Sequence, residues 1–315
     1  MVKKLKLLKN KAFSYILKIL LGAGILILLY FEAEKVFRDF DFRLVEKHIH
    51  ELTLQQILLL LLIGAIAVIP MCFYDFLLLR PLGIKLPLFK KLRYSYAANT
   101  YSNFLGFGGV GGAALRVYFY QKQHTDKMAL VKMIASLSIF FLTGLSLICW
   151  SVAFNWFQTP VLDEHTWLKF VIWGFSLYTP LLLIIHWLSP TKNKILFSFK
   201  YVLGFIIVSF SEWVFVLLTI WTIIVVLGVP LAFSAVIPIT IVSICAGIIS
   251  MIPGGVGSFD LIFLLGSELA GVKAEEVLLA LALYRLIYYI FPFLIGSLLF
   301  VVEWIKDRFI NKRKS

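Results

Sequence analysis

Ser250-Met251-Ile252-Pro253-Gly254-Gly255-Val256-Gly257-Ser258 interrupts an apolar run that starts near Pro230 and resumes at Phe259. An earlier stretch, Ser102-Asn103-Phe104-Leu105-Gly106-Phe107-Gly108-Gly109-Val110-Gly111-Gly112, has the same character. Hydrocarbon leaves no partner for a free backbone amide. Irregular chain at membrane depth therefore survives only where protein buries it or where it lines a polar cavity. A matched pair of breaks in the two halves of an apolar chain points to a transporter-like site. One such run alone reads as a turn at the membrane surface. Two, each flanked by ionisable residues, read as a site. Gly108, Gly109 and Gly111 form the first break on this reading, and Pro253, Gly254, Gly255, Gly257 and Ser258 the second.

Composition agrees. Of the 315 residues, 61% are hydrophobic, and the mean hydropathy is +0.94, against about 45–50% apolar residues in soluble domains. The net charge of +13 raises the question of nucleic acid. The basic residues, however, sit in short loops beside apolar spans, which is the positive-inside pattern, so no nucleic-acid partner is expected. No stretch outside the spans is long enough for a core of its own, and residues 1–315 read as a single polytopic membrane domain. Met1 to Lys11 is basic and precedes an apolar run without a small-residue cleavage site after Tyr30, the pattern of a retained anchor. Cys72, Cys149 and Cys245 are far apart in sequence and read as packing residues. The five histidines are dispersed, with no HExxH. No metal and no cofactor is expected.

A span needs about 20 apolar residues. Six full spans are expected, near 13–31, 56–79, 130–156, 167–188, 201–227 and 277–304. Arg80, Lys85, Lys90, Lys91 and Arg93 follow the second span with no acid among them, which places that loop in the cytoplasm. The first break, about 94–120, has basic flanks on both sides, and so reads as a re-entrant helical hairpin entering from inside. Asp163 and Glu164 mark an outer loop, and Lys192, Lys194 and Lys200 return the chain to the cytoplasm. The tail, with Lys306, Arg308, Lys312, Arg313 and Lys314, is cytoplasmic. For these signs to hold, the second break, about 230–271, must begin and end outside. The expected fold is an all-α integral membrane protein with two oppositely oriented hairpins, an inverted-repeat, transporter-like plan with both termini in the cytoplasm.

Charges inside apolar runs are few, because each costs about 2.5–3.5 kcal/mol at the bilayer centre on insertion scales. Glu212 lies in mid-span, Asp260 directly after the second break, and Arg285 about two turns into the last span. Tyr288 and Tyr289 follow Arg285 by three and four residues, on one helical face, where their rings can hold the guanidinium. Asp75 and Arg116 lie nearer membrane boundaries, where an interfacial carboxylate and a positive-inside anchor are the competing readings. A Glu212–Arg285 salt bridge is the structural alternative for that pair. Asp260 also suits a helix cap. Trp156, Trp167 and Trp304 near span ends read as an interfacial belt.

Three strings carry a family resemblance. Asn99-Thr100-Tyr101-Ser102-Asn103-Phe104 running into Gly106-Phe107-Gly108-Gly109 is one. Ile249 to Asp260, through Pro253-Gly254-Gly255-Val256-Gly257-Ser258, is the second. Leu283-Tyr284-Arg285-Leu286-Ile287-Tyr288-Tyr289 is the third. Together they resemble the membrane domain of bacterial lysylphosphatidylglycerol synthetases, the multiple peptide resistance factors, over nearly the whole chain. In that family the membrane part is thought to move an aminoacylated phospholipid to the outer leaflet, which lowers surface negative charge and repels cationic antimicrobial peptides. The resemblance implies the translocating part and not the cytosolic transferase domain that uses aminoacyl-tRNA. It also implies Asp75, Arg116, Glu212, Asp260 and Arg285 as the membrane acidic and basic positions.

The expected activity is a lipid flippase in the bacterial cell membrane. Arg116, Arg285 and half-helix N-termini are suited to the phosphate. Glu212, Asp260 and Asp75 are suited to an amine or a coupling proton. Asn103, Tyr288 and Tyr289 support them. A membrane phospholipid is the expected partner, with a separate synthase and a second copy of the chain as further ones. The alternative class is an aminoacyltransferase, or the membrane subunit or regulator of one. There is no GxxxxGK[ST] motif to suggest direct use of ATP. Substituted-cysteine labelling is expected to reach positions 163 and 273 from outside and positions 90 and 192 from inside. Labelling of position 90 from outside would contradict the topology.

Overall fold

The computed structural model describes residues 52–106, 109–123, 126–188, 198–250 and 253–312. Among them every regular element is a helix. The expected first span and amino-terminal anchor lie outside the described residues, as do Phe107, Gly108, Lys192 and Lys194. Helices α1 (Leu54–Ala67) and α2 (Ile69–Leu79) form one apolar rod with a joint at Val68, where Pro70 has no amide proton to give to the preceding turn. A Thr53–Gln56 capping box starts the rod. Next come α3 (Leu88–Leu105) and α4 (Val110–Tyr120), separated by the first glycine break. Then follow α5 (Lys127–Ser136), α6 (Thr143–Ala153), the short α7 (Val161–Glu164), α8 (Thr166–Leu188) and the long α9 (Phe199–Val226). Helices α10 (Phe233–Ile249) and α11 (Ser258–Leu269) flank the second break. The last rod is α12 (Ala274–Tyr284), a π-helical segment Arg285–Ile290 and α13 (Phe291–Lys312).

Five helical stretches are long and apolar enough to cross a membrane: Leu54–Leu79, Lys127–Ala153, Trp167–Leu188, Phe199–Val226 and Ala274–Lys306. They correspond to five of the six spans expected from hydropathy. Large apolar side chains on their outer faces, such as Leu58, Phe170, Ile184 and Leu298, are exposed. That suits a surface solvated by lipid.

Two of these rods are less regular than the sequence suggested. Between α5 and α6 the helix loosens into a 3-10 turn at Leu137–Ile139 and a bend to Leu142. The Phe141 carbonyl is taken up by α9: Ser209 Oγ donates to it at 3.0 Å and Trp213 Nε1 at 2.8 Å. Ser209 Oγ also accepts from the Gly144 amide at 2.8 Å. A break at membrane depth is thus satisfied by a neighbouring helix, as hydrocarbon requires. A Cβ on Gly144 would run into the α9 backbone at Ser209 and Phe210. The crossing exists because position 144 has no side chain, the small-residue packing common among membrane helices. The last rod carries the π segment, a feature often found at functional sites.

Among the described residues the interior divides into two apolar cores. The first gathers Tyr74, Leu78, Tyr94, Phe119, Leu130, Phe140 and Phe205, around α2 to α5. The second gathers Cys149, Ile172, Ile239, Cys245, Phe263 and Tyr284, around α6, α8 and α10 to α12. Helix α9 runs through both. Its Val202, Phe205, Ile206 and Val208 belong to the first core, and its Val216, Ile220, Ile223 and Ile224 to the second. Ser209 and Glu212 are the buried polar residues between them. Two of the three cysteines that looked unrelated in sequence meet here as well: Cys149 and Cys245 Sγ lie 3.6 Å apart, fully buried.

Candidate functional site

Asp75 and Arg116 lie on α2 and α4 and are buried to 0% and 1% exposure. Neither side chain faces outward: the two meet inside the bundle. Arg116 Nη2 donates to Asp75 Oδ2 at 2.9 Å and Nε to Oδ1 at 3.0 Å, a two-pronged pair. Asn99 Oδ1 on α3 accepts from Arg116 Nη2 at 2.7 Å, and Asn99 Nδ2 donates to the Ser95 carbonyl at 2.7 Å and the Met71 carbonyl at 3.1 Å. The Tyr120 hydroxyl completes the set, donating to Asp75 Oδ1 at 2.9 Å. The first glycine break makes this cluster possible. Gly109 has a φ of 85°, open to glycine at little cost. A Cβ on Gly112 would meet the Ala98 carbonyl, Ser102 and the Arg116 guanidinium, so α4 lies close against α3 only because that position is bare. Gly111 packs on Leu105 and the Tyr101 carbonyl in the same way.

Successive helix residues point about 100° apart. Tyr74, next to Asp75, accordingly faces another neighbour, α9, and its hydroxyl donates to Glu212 Oε2 at 2.8 Å. Glu212 is 6% exposed. No ion pair to Glu212 exists among the described residues, in contrast to Asp75 and Asp260. The Glu212–Arg285 salt bridge considered from sequence is not formed, because Arg285 is committed elsewhere.

At the second break Arg285 Nη2 donates to Asp260 Oδ1 at 3.0 Å, and Nη1 donates to the Gly254 carbonyl at 2.6 Å. Asp260 Oδ2 also accepts from the Gly257 amide at 2.9 Å. It therefore caps α11 and pairs with Arg285 at once. Gly254, Gly255 and Gly257 all have positive φ. Ser258 Oγ bonds Ser250 Oγ across the break at 2.8 Å. Arg285 Nε has no acceptor among the described residues. This pair is more open than the first: the Arg285 and Asp260 side chains are 15% and 12% exposed.

The aromatic shell of Arg285 differs in part from expectation. The Tyr289 ring centroid is 5.1 Å from the guanidinium carbon, with Phe259 at 5.5 Å and Tyr284 at 5.8 Å. Tyr288 takes no such part. The π segment starts at Arg285 and widens the turn, so residues three and four positions on no longer share one α-helical face. Tyr288 instead has its hydroxyl 3.4 Å from Asn103 Nδ2, which is also 3.5 Å from Met71 Sδ. This contact links the π segment to the helix before the first break. Tyr74, Asn99 and Tyr120 were not singled out from sequence. Their type carries little signal in an aromatic-rich chain, although Asn99 opens the first family string. Among the described residues no group of His, Cys, Asp and Glu is arranged to hold a metal.

Residues 15–296 match the family described as "Lysylphosphatidylglycerol synthase TM region". Relatives named phosphatidylglycerol lysyltransferase include one from Staphylococcus aureus (strain MRSA252), 34% identical over 299 residues. Another, from Bacillus subtilis (strain 168), is 34% identical over 298 residues. The match covers 94% and 92% of this chain but 35% and 34% of those proteins. The chain thus spans about a third of the length of the curated relatives it matches.

The two ion pairs are expected to differ in cost. Arg116→Ala strands a fully buried carboxylate and is expected to destabilise the protein by about 3–5 kcal/mol. Arg285→Ala leaves Asp260 with its backbone cap and partial exposure, and is expected to lower stability less. Arg116→Lys is not expected to restore the loss, since a point charge cannot reproduce the two-pronged contact. Thermal unfolding of the three variants in detergent checks this. Equal loss for Arg116→Ala and Arg285→Ala would contradict it.

Proposed function

Since the chain belongs to the lysylphosphatidylglycerol synthase transmembrane family, and is a multi-pass membrane protein, we propose that it is a lipid translocator. Its cargo is a phospholipid with a cationic headgroup, such as lysylphosphatidylglycerol, moved between the leaflets of the bacterial cell membrane. The consequence for the cell is resistance to cationic antimicrobial peptides. The helix–break–helix units α3–α4 and α10–α11 act as re-entrant hairpins of opposite sense, with both termini in the cytoplasm.

One observation carries this reading. Among the described residues Asp75 pairs with Arg116, Asp260 with Arg285 and the buried Glu303 with Arg93, whereas the buried carboxylate of Glu212 has no cation and accepts from the Tyr74 hydroxyl. Glu212 stands where the two apolar cores meet on α9. A buried carboxylate without a cation is costly unless a proton or a passing cation joins it. An aminoacyl headgroup supplies such a cation. Arg285, whose Nε–H has no acceptor among the described residues and whose side chain is partly exposed, suits the phosphate. Asp75–Arg116 is closed on itself, so its role is to hold the first hairpin rather than to touch lipid.

A second reading rests on the relatives' name: a part in phosphatidylglycerol lysyltransfer, as a synthase or as the membrane subunit or regulator of one. Lysyl transfer needs a surface for the aminoacyl-tRNA donor as well as a place for the lipid acceptor, and the described residues are apolar helices joined by short connections. That reading therefore needs sequence or a partner beyond them.

Leaflet-resolved lipid analysis in cells tests the translocator. Glu212→Gln, Asp260→Asn and Arg285→Ala are each expected to cut outer-leaflet appearance of the lysyl lipid, per folded molecule, by roughly tenfold or more, the equivalent of about 1.4 kcal/mol in a barrier. Unchanged normalised exposure in all three would remove these residues from the site.

A further inference from the structure

The flank of the bundle between α2 and α9 holds an open trough of about 670 Å³. Phe73, Phe76 and Leu77 line it from α2, and Ile207, Ser211 and Phe215 from α9. Gly204 is part of the wall, where a Cβ would meet Leu77 at 3.1 Å. Its volume is in the range of about 300–1,000 Å³ usual for small-molecule sites.

Charge is confined to one end. Arg80, at the C-terminal end of α2, lines the trough and is exposed. It makes no ion pair among the described residues. Lys91, on α3, sets its ammonium 4.5 Å from the centroid of the Phe76 ring, one of the lining rings. No acidic residue lines the trough. An apolar channel with two cations at one end is complementary to an amphiphile with an anionic head.

We propose that this trough is a binding site for an anionic phospholipid of the bilayer. The phosphate sits at Arg80 and Lys91, and an acyl chain lies along Phe76, Phe73 and Phe215. The chain's own apolar run 13–31 is a poorer occupant. It is preceded by Lys3, Lys4, Lys6, Lys9 and Lys11, which would bring more positive charge to Arg80 and Lys91. Phe73 and Ser211 are the sequence neighbours of Tyr74 and Glu212. The lipid therefore lies one helix face away from the buried Tyr74–Glu212 contact, outside the buried network. Occupancy of the trough does not depend on lipid crossing the membrane.

The test uses the full chain purified from membranes and equilibrated with equal amounts of phosphatidylglycerol and phosphatidylcholine. Retained lipid is counted by native mass spectrometry. The wild type is expected to prefer phosphatidylglycerol by up to about 25-fold, each basic contact being worth about fivefold near a membrane surface. Arg80→Ala/Lys91→Ala is expected to bring the ratio to near one. Ser211→Trp, which fills the trough, is expected to remove one bound lipid of either kind. If that variant does not fold, Ile207→Trp serves the same purpose. Thermal unfolding confirms that the variants are folded. Equal retention of both lipids by the wild type would overturn the proposal. So would an unchanged preference in the double variant. A disulfide between Ser211→Cys and Ile19→Cys would assign the trough to the chain's own first apolar run and would also overturn it. Lipid movement is not read in any arm, so failure here leaves the translocator reading standing, and the reverse holds.

Discussion

Arg116 is held between Asp75 and Asn99 with almost none of its surface exposed, and that contact ties α2, α3 and α4 together. A guanidinium buried in an apolar bundle is costly unless a carboxylate and further acceptors meet it. Much of the first half follows from this requirement. Helix α4 must approach α3 closely, which Gly112 permits. The chain must turn sharply before it, which Gly109 permits. Asp75 must leave its neighbour Tyr74 pointing at α9, which brings Glu212 into hydrogen-bond contact. The glycines of the break and the charge pair behind it are parts of one arrangement.

The second half solves the same problem differently. Asp260 divides its two oxygens between the helix amide of Gly257 and the Arg285 guanidinium, and three aromatic rings surround that guanidinium. The pair stays partly open. One cluster is closed and the other accessible, and the unmatched carboxylate lies on the helix that runs through both cores. The closed cluster has the form of a fixed support. The open one leaves part of Asp260 and Arg285 accessible, while Glu212 is buried.

The helical membrane architecture was legible because hydropathy acts on every residue of a span, so errors average out over about 20 positions. Five spans come within a few residues of the helices found. Both glycine breaks separate helices where the sequence placed them. Asp260 and Arg285 stood out because charge in an apolar run is rare, whereas Asp75 and Arg116, nearer the expected span ends, left an interfacial and an anchoring reading open. The pairing of these residues was not legible. Pairing of Arg285 with Asp260 rather than Glu212 depends on how helices are brought together, and no local pattern encodes that. The bend at Leu137–Leu142 was hidden because its rescue comes from Ser209 and Trp213, about 70 positions away by the separations of 68 and 72. The π segment was hidden because Leu283 to Tyr289 reads as ordinary α-helix. It moved Tyr288 away from Arg285 and toward Asn103.

The translocator account is tested most directly by reconstitution of the purified chain alone. Vesicles are prepared with lysylphosphatidylglycerol confined to one leaflet, and an impermeant amine reagent reports the headgroup on the other side. The account predicts that the lipid crosses in minutes with the wild-type chain, and that Glu212→Gln vesicles, carrying the same amount of folded protein, behave like protein-free ones. Equal crossing with and without the wild-type chain, or full crossing with Glu212→Gln, would contradict it.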